Sequence, residues 1–535
     1  KLPGMLYASI ERAPTLGGVL VRFDDAAARK VPGVRAVKAV TAGVHQGVAV
    51  LADDTWSALR GRAQLKIEWA PGSAAQFDSE QYLSKLPTML EGHRYPVRAE
   101  GDAAAALSAS AKRHSATYLF PFQAHAPLET QNCTAHVLAD RAELWVPTQT
   151  DVRTLAMAAR VTGLPEEKIT LHPMLMGGGF GRRLFADFVA EAVQLSKETR
   201  RPVQVLWSRQ DDMRFGYFQP ATIERFEAGL TAGGSLTSLV HHSSASDLTI
   251  YDIHGGRNIW DDPPKAPRAE NSYAEDGSPW GAFDTPYVFP SLLVDCVDVT
   301  SPVPVGPWRA VEYPSTVFGR ESFLDELAEM MGKDPIELRL SLLPDDPAPA
   351  GRRPLDRSRL RAVLADVRTR SGWGKPLPQS SDRTWGRGVA VNVYHRGTYL
   401  AMVAEVSVAR DYSDLRVHRI VAAVDCGLAL NPLGIAGQTE SAVTWGLSAA
   451  LAGKMNFRNG AGVESSYRDF QVMTIDRMPV VETHILPSDA EPRGYGEHPV
   501  PLVAPAVANA VFAATGRRVR ELPITPERLA AARET

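Results

Sequence analysis

The stretch Met176-Gly177-Gly178-Gly179-Phe180-Gly181-Arg182-Arg183 follows an alternating segment, Lys168–Met174, and precedes a segment with helical apolar spacing that begins at Phe185. These patterns predict a strand, a glycine loop and a helix. Glycine lets a backbone approach a ligand closely, and free amides before a helix favour an anion. Two arginines add forked donors that suit phosphate. A tight turn with two solvated arginines explains the same residues equally well.

The composition is that of an ordinary folded protein with several domains. The chain has 535 residues, of which 44% are hydrophobic and 22% charged, and its formal net charge is −3. This balance excludes a disordered chain and gives no support to binding of nucleic acid or of an anionic membrane. No apolar run reaches the roughly 18 residues that a membrane span needs. We therefore expect no nucleic-acid partner and no membrane span.

The cysteines and histidines give no sign of a metal site. Three solitary cysteines stand far apart in the chain: Cys133, Cys296 and Cys426. We therefore expect no zinc site, no iron–sulfur cluster in this chain and no disulfide framework. Three histidines lack the spacing of metal ligands and are expected in packing or at the surface: His125, His241 and His242. If the protein moves electrons, they must leave through another subunit.

The order of the segments predicts an α+β fold with several domains. Apolar spacing predicts helices at Asp151–Thr162 and Glu321–Met331. Residues 255–305 are rich in Pro, Asp and aromatics and predict a long surface loop. The predicted units are residues 1–75, residues 76–343, a linker at residues 344–384 and residues 385–535.

A second glycine-containing stretch, Arg493-Gly494-Tyr495-Gly496-Glu497-His498-Pro499, precedes a small-residue helix at Pro505–Ala514. A carboxylate between glycines and a closely packed helix is predicted to be partly buried, which suits a catalytic base. Most loop glutamates are simply exposed, so this motif by itself leaves a surface role open.

Two further stretches place polar residues beside turns. Arg309 follows a rigid turn in Gly306-Pro307-Trp308-Arg309-Ala310, and residues 425–440 hold Asp425, Asn431 and Gln438. Turn chemistry accounts for Asp425 and Asn431. A buried glutamine on a helix needs a partner, which a ligand can supply.

Taken together, these segments resemble the molybdenum-binding large subunit of the xanthine oxidase and aldehyde oxidoreductase family, in particular its isoquinoline 1-oxidoreductase branch. Lys1–Ala8 is similar to the start of the family's α/β hammerhead domain, and Gln123–Glu129 resembles its Q-x-H-x-x-x-E segment. The glycine stretch, the Arg309 turn, residues 425–440 and Gly496-Glu497 follow in the family's order. Each motif is weak alone, but six in order over nearly the whole chain are specific.

The resemblance implies a molybdenum-hydroxylase large-subunit fold. Residues 1–75 would form a hammerhead-like module, and residues 76–343 and 385–535 would form two molybdopterin-binding domains. Gln149 would lie against the molybdenum centre, and Arg182 would reach the cofactor's phosphates. The implied cofactor-binding residues are Gln149, Gly178, Gly179, Phe180, Gly181, Arg182, Arg309, Gln438 and Gly496.

The implied reaction is hydroxylation of an N-heteroaromatic compound or an aldehyde with oxygen from water. Glu497 would be the general base, a role worth about 10²–10⁴-fold in rate. The implied cofactor is molybdenum–molybdopterin in the cytosine dinucleotide form, held without a protein ligand to the metal. The implied partners are a small subunit with [2Fe-2S] clusters and a c-type cytochrome, and a periplasmic location is favoured over a cytoplasmic one.

The chain departs from the family's pattern at three places. A second glycine loop, G-Q-G followed by Thr, is missing from the segment around Gly388. In the isoquinoline branch this loop precedes the hammerhead domain, so we expect it either to lie upstream of Lys1 or on a separate cleaved chain, or to be absent. Ser441-Ala442 replaces the usual glycines, and Arg493 and Tyr495 replace smaller residues beside Glu497. We expect the latter pair to reshape the substrate entrance.

Two other functions stay open. One is a nucleotide-dependent oxidoreductase that binds a pyrophosphate at the glycine stretch, although the Rossmann spacing and the ribose-binding acid are missing. The other is a cofactor-free scaffold or binding subunit with the same fold.

Overall fold

Short β-prone runs between turns give the chain most of its framework. The computed structural model describes residues 1–245, 281–299, 301–345 and 355–532. The strands are β1 (Leu6–Arg12), β2 (Val19–Asp24), β3 (Val34–Val40), β4 (Gly47–Ala52), β5 (Lys66–Ala70), β6 (Tyr95–Glu100), β7 (Lys112–Phe120), β8 (Gln123–Ala124), β9 (Asn132–Val137), β10 (Ala142–Val146), β11 (Ile169–Pro173), β12 (Val203–Leu206), β13 (Phe218–Gln219), β14 (Thr222–Leu230), β15 (Leu236–Ala245), β16 (Leu292–Asp298), β17 (Arg383–Tyr394), β18 (Thr398–Ala409), β19 (Leu415–Asp425), β20 (Phe457–Arg458), β21 (Ala461–Gly462) and β22 (Val480–Ile485).

The helices begin and end at residues that favour such boundaries. They are α1 (Thr55–Arg62), α2 (Ser79–Met89), α3 (Ala103–Ala109), α4 (Asp151–Thr162), α5 (Asp187–Thr199), α6 (Arg209–Arg214), α7 (Tyr313–Met330), α8 (Pro335–Ser341), α9 (Arg357–Arg370), α10 (Pro432–Leu451), α11 (Val500–Thr515) and α12 (Pro526–Ala531). Gly163 ends α4 with a φ of 78°, a left-handed conformation that glycine adopts freely. None of the helices in these described residues combines the length and apolarity needed to cross a bilayer.

Three main sheets organise the chain and confirm the predicted α+β class. The first has the order β11-β10-β9-β12-β1-β4-β3, the second β6-β16-β15-β14-β7, and the third β17-β18-β19-β22. Strands of the predicted first module therefore share a sheet with strands from residues 132–206. The predicted linker at residues 344–384 includes α9, which packs against β18 and β19.

Two sequence predictions need correction. Residues 292–298, within the predicted surface loop at residues 255–305, form the interior strand β16, in which Cys296 is fully buried. The part of that loop at residues 255–280 lies outside the described residues. Helix α7 begins at Tyr313 rather than at Glu321. The apolar spacing missed its first turns, because they are buried on all sides and have no polar face.

Buried ion pairs join the N-terminal strands to the helices behind them. Arg12 is 1% exposed, and its guanidinium donates to Glu191 on α5 at 2.7 Å. Arg62 on α1 donates to both carboxylate oxygens of Asp211 on α6 at 2.8 Å. A buried charge is tolerated when it is paired and hydrogen-bonded, so these pairs fix β1 against α5 and α1 against α6.

Replacing Tyr118 by phenylalanine is expected to destabilise the second sheet. The Tyr118 hydroxyl donates to Glu326 Oε1 at 2.6 Å, and Arg520 donates to the same carboxylate at 2.6 Å and 2.8 Å. A hydrogen bond to a charged group contributes about 1.5–3 kcal/mol. Denaturant unfolding of Tyr118→Phe should show a loss of that size, whereas a loss below about 0.5 kcal/mol would contradict the assigned contact.

Replacing His45 by glutamine is expected to stabilise the protein in acid relative to the parent chain. Burial lowers the pKa of His45 to about 3, with a further contribution from the charge of Arg12. An unfolded histidine binds a proton near pH 6.5, so below that pH the unfolded parent takes up a proton that the folded parent refuses. In the parent, His45 therefore lowers the free energy of unfolding progressively as pH falls from about 6.5 toward 3. Glutamine does not titrate and has no such effect.

Thermal melts at several pH values check the His45 prediction. The difference in melting temperature between His45→Gln and the parent should move in favour of the variant as pH falls. His172→Gln is the matched control, because the His172 side chain is 41% exposed. A pH-independent difference for His45→Gln, or the same trend in His172→Gln, would contradict the explanation.

Candidate active site

Gln149 supports the glycine loop, residues 177–181. Its side-chain oxygen accepts hydrogen bonds from the backbone amides of Gly181, at 3.0 Å, and Arg183, at 3.3 Å. A Cβ at Gly179 would lie only 2.5 Å from that oxygen. The glycine at this position therefore allows the loop to close over the Gln149 amide.

A second turn packs directly on Gly181. Gly181 has a φ of 104°, and a Cβ there would lie 1.7 Å from the carbonyl oxygen of Pro307. His125 lies behind the same carbonyl, with Nε2 2.9 Å from Pro307 O and Nδ1 3.0 Å from Tyr217 O. Burial lowers the pKa of His125 to about 4. The imidazole thus acts in packing, as predicted, and it holds the second turn against the glycine loop.

Arg182 and Arg183, which follow the glycine loop, are both buried. The sequence predicted them either beside a bound anion or exposed to solvent, and their burial corrects the second prediction. Arg182 is 1% exposed and forms a double hydrogen bond with Asp187, at 2.8 Å and 2.7 Å. Arg183 is fully buried and donates to Glu129 at 2.9 Å and to backbone carbonyls. Neither guanidinium is solvated, because each donates to a carboxylate of this chain, and these contacts give no support to the predicted contact between Arg182 and the cofactor's phosphates.

Arg309 donates to polar groups of two segments, helix α10 and the stretch before Glu497. Its guanidinium donates to the carbonyl of Gly496 at 2.5 Å and 3.1 Å, to Ser441 Oγ at 2.9 Å and to Gln438 Oε1 at 2.9 Å. Burial lowers the pKa of Arg309 to about 10. In the described parts of the chain no carboxylate forms a salt bridge with it. Ser441, a departure from the family pattern, supplies one of its acceptors.

Glu497 lies at the end of this cluster and accepts two hydrogen bonds. The Tyr394 hydroxyl donates to Oε1 at 2.5 Å, and the amide of Ala310 donates to Oε2 at 3.0 Å. Ala310 and Val311 have φ values of 78° and 55°, which non-glycine residues rarely adopt. Such backbone strain is found at functional sites, where the surroundings hold it in place. Here it directs an amide at the carboxylate.

Phe180 and two open glycine positions border the same cluster. The Phe180 ring stacks on Trp445 of α10 with centroids 3.9 Å apart. The indole Nε1 of Trp445 is buried and has no hydrogen-bond partner among the described residues. A Cβ at Gly437 or at Gly496 would meet nothing within 4 Å. Open space and an unpaired donor thus lie beside Arg309.

The Q-x-H-x-x-x-E segment holds loops in place. Gln123 donates to the carbonyl of Gly453, just after α10, at 2.7 Å. Glu129 accepts a hydrogen bond from the amide of Gly177 at 2.8 Å. Together with His125, these side chains form hydrogen bonds to the backbone of three segments: the end of α10, the glycine loop and the turn before Arg309.

The other polar residues of the sequence motifs serve turns and packing. Asn431 caps α10 by accepting from the Gly434 amide at 2.9 Å, and Asp425 accepts from the Gly427 amide at 3.0 Å. Tyr495 is buried, with its hydroxyl 2.9 Å from Thr439 Oγ1. Its ring therefore packs on α10, so the predicted effect on the substrate entrance lacks support for this residue.

A β-hairpin stands where the family's second glycine loop would be expected near Gly388. Strands β17 and β18 pair over their whole length and meet at residues 395–397. A Cβ at Gly388 would lie 2.1 Å from the backbone nitrogen of Ala510, so this glycine allows β17 to pack closely on α11. The hairpin therefore gives no loop of the expected type in this segment.

Metal-ligating side chains do not cluster in the described ranges, where no group of three or more His, Cys, Asp or Glu could hold an ion. His241 pairs with Glu224 at 2.7 Å and His242 with Asp295 at 2.7 Å. Both histidines are buried, in agreement with the packing role predicted for them.

Sequence reasoning missed three residues of the site. Tyr394 and Trp445 contact Glu497 and Phe180 respectively, yet neither belongs to a recognised motif. Asp187, the partner of Arg182, stands five residues after it, which is neither the i,i+3 nor the i,i+4 spacing of a helical ion pair, so the sequence held no signal for this contact.

Two parts of the chain match known family models. Residues 89–256 match a model described as "Molybdopterin cofactor-binding domain", and residues 374–479 match a second model with the same description. The chain is 29% identical to the isoquinoline 1-oxidoreductase subunit beta of Brevundimonas diminuta, over 98% of this chain and 65% of that protein. It is 30% identical to a membrane-bound aldehyde dehydrogenase [pyrroloquinoline-quinone] of Gluconacetobacter polyoxogenes, over 98% and 69%. The chain thus spans about two thirds of the length of these relatives.

The fold is also similar to that of a solved structure. Quinoline 2-oxidoreductase from Pseudomonas putida 86 matches with a TM-score of 0.81 at 16% identity, over 99% of this chain and 95% of that one. This likeness confirms the multi-domain fold that the resemblance implied.

Proposed function

We propose, because the chain belongs to the molybdenum-binding large subunits of the xanthine oxidase and aldehyde oxidoreductase family, that it is the catalytic part of a molybdenum hydroxylase. The substrate class is an N-heteroaromatic compound or an aldehyde, and the oxygen comes from water. The observation that carries the proposal is the Glu497 carboxylate, fixed by two donors beside the cluster around Arg309.

The residues beside Glu497 fit a large cofactor with polar and anionic parts. Arg309 is a buried cation without a carboxylate partner in the described residues, and Trp445 offers an unpaired indole N–H. Among the described residues the Trp445 N–H lacks the partner that a buried donor normally finds, and the Arg309 charge lacks a counter-ion, so a ligand with polar and anionic groups would supply both. The open faces of Gly437 and Gly496 leave room for that group next to them.

We assign the residues that would hold molybdenum–molybdopterin from the resemblance, and the contacts above support the assignment. Arg309 and Gln438 would bind its polar groups, Phe180 and Gly181 would line one side, and Gln149 would keep the glycine loop in shape. The cofactor supplies two-electron redox chemistry and activation of water when bound. We infer the cytosine dinucleotide form from the resemblance alone.

The chain's own contribution to the reaction is proton transfer and positioning. Glu497 would take a proton at one of its carboxylate oxygens when the water-derived oxygen adds to the substrate. Fixed donors at both carboxylate oxygens would keep the base oriented before the substrate arrives, which avoids reorganisation during the reaction. Phe180, packed on Trp445, would help to exclude bulk water from the same side.

The partners follow from the cysteines and from the resemblance. The three cysteines are buried and stand far apart in the sequence, so they do not supply the usual four-ligand set of an iron–sulfur cluster. We infer that electrons pass to a small [2Fe-2S] subunit and from it to a further acceptor such as a c-type cytochrome. The family's second glycine loop would be supplied from outside the residues of this chain.

Cofactor analysis of the purified complex tests the proposed function. Molybdenum and a released pterin are expected in about equimolar amounts with this chain. A complex without molybdenum would favour the cofactor-free scaffold, and a pyrroloquinoline quinone, named for one relative, would require a different reaction. The nucleotide-dependent alternative is not favoured, because protein acceptors occupy the amides of Gly177 and Gly181 in the glycine loop and that of Arg183 just after it.

A further inference from the structure

Tyr394 connects the third sheet to Glu497. Its side chain is 2% exposed, and its hydroxyl donates to Glu497 Oε1 at 2.5 Å. The other carboxylate oxygen accepts from Ala310, which precedes α7. Two donors from separate elements therefore determine where the carboxylate points.

The Tyr394 ring is held between other aromatic groups. It stacks on Tyr313 with centroids 4.3 Å apart, and the His498 ring lies 4.2 Å away on a neighbouring segment. Tyr313 is anchored in turn, because its hydroxyl donates to Asp284 at 2.6 Å and accepts from the His395 amide at 3.1 Å. These contacts leave the Tyr394 hydroxyl little freedom to move away from Glu497.

The turn after Tyr394 adopts an unfavourable backbone conformation. His395 and Arg396 have φ values of 46° and 53°, in the left-handed region that glycine prefers. The turn is joined to the segment that carries Glu497, because Thr398 Oγ1 donates to the carbonyl of Gly494 at 3.1 Å. A Cβ at Gly397 would lie 3.1 Å from the Arg493 side chain, so the two segments are in close contact. Strain retained in this way is typical of functional positions.

We propose that Tyr394 is a positioning residue for the base, whose hydroxyl orients the Glu497 carboxylate. The inference rests on the proposed function, since it assumes that Glu497 is the base. A hydrogen bond donated to a carboxylate favours the ionised form over the protonated form. Burial and the charge of Glu497 raise the pKa of Tyr394 far above its usual value, so the phenol keeps the proton that it donates to the carboxylate.

Other charged and titratable groups surround this pair and are unchanged by a substitution at Tyr394. Arg309 faces Glu497 from the turn before α7, and further groups come from several segments: Asp284, Glu312, Tyr313, His395 and His498. The effect of removing one hydroxyl can therefore be separated from the background of these charges.

Tyr394→Phe in the purified complex tests the proposal, because it keeps the ring and deletes only the hydroxyl. The acidic limb of the pH profile of kcat/KM is expected to move to higher pH by about one unit. Infrared difference spectra recorded during a pH titration give a second readout that does not depend on turnover. The band that Glu497→Gln removes should titrate at higher pH in Tyr394→Phe than in the parent.

Tyr118→Phe is the matched control, since it deletes a hydroxyl–carboxylate hydrogen bond far from Glu497. It should lower stability and leave the acidic limb in place. An unmoved limb and an unmoved Glu497 band in Tyr394→Phe would overturn the proposal, as would an equal shift in Tyr118→Phe. If the complex lacks molybdenum, the proposed function fails, whereas the infrared comparison of parent and variant still decides whether the Tyr394 hydroxyl acts on the Glu497 carboxylate.

Discussion

Replacing Glu497 by glutamine is expected to lower kcat by about 10²–10⁴-fold, the usual contribution of a positioned acid–base group. Glutamine has nearly the same size and can still accept from the amide of Ala310, so the site should keep its shape and its cofactor. The loss should therefore appear in turnover and not in molybdenum content. Steady-state kinetics and metal analysis of the same preparation measure the two quantities.

Glu491→Gln is the control for this substitution. Glu491 lies six residues before Glu497, and its side chain is 73% exposed and paired with Arg493. An exposed pair contributes little to stability, so this variant should turn over at nearly the parent rate. If Glu497→Gln kept full activity with molybdenum bound, Glu497 would not be the base.

Replacing Gly181 by alanine is expected to disrupt the site even though Gly181 carries no chemical group. The new Cβ would lie 1.7 Å from the Pro307 carbonyl oxygen, in a residue with a φ of 104°. The glycine loop or the turn leading to Arg309 must then shift by more than 1 Å. A displacement of about 1 Å can cost about 10²-fold in rate, and we expect a loss of at least this size together with reduced molybdenum content.

Gly163→Ala separates this packing effect from backbone strain. Gly163 also has a positive φ, of 78°, but a Cβ there would meet nothing within 4 Å. The left-handed conformation should cost about 1–2 kcal/mol in stability, with cofactor content and turnover per molybdenum unchanged. Equal losses of turnover in both variants would show that strain, not the contact with Pro307, explains the result.

Local patterns predicted the elements that depend on nearby residues. Helix α4 has the predicted bounds, because its apolar spacing and the following Gly163 act within one segment. Helix α7 was predicted too short and β16 was predicted as loop, because both are buried on several sides. An element without a polar face has no periodic pattern that reveals it.

The site residues also differ in whether nearby or distant parts of the sequence determine their contacts. The sequence located the glycine loop, Arg309 and Glu497, since each stands beside glycines or prolines that form turns. It did not indicate that Arg182 is buried on Asp187, because burial depends on the aromatic residues packed around the pair. Nor did it indicate Tyr394, which stands 103 positions before Glu497 and meets it only through the packing of β17 against α11.

Incubation of the complex with an N-heteroaromatic substrate in oxygen-18-labelled water tests the central claim most directly. The claim is that this chain supports hydroxylation with oxygen from water and Glu497 as the base. Mass spectrometry of the hydroxylated product should show the label from water in the parent and almost no product from Glu497→Gln. Oxygen derived from labelled dioxygen, or equal product from the variant, would contradict the account.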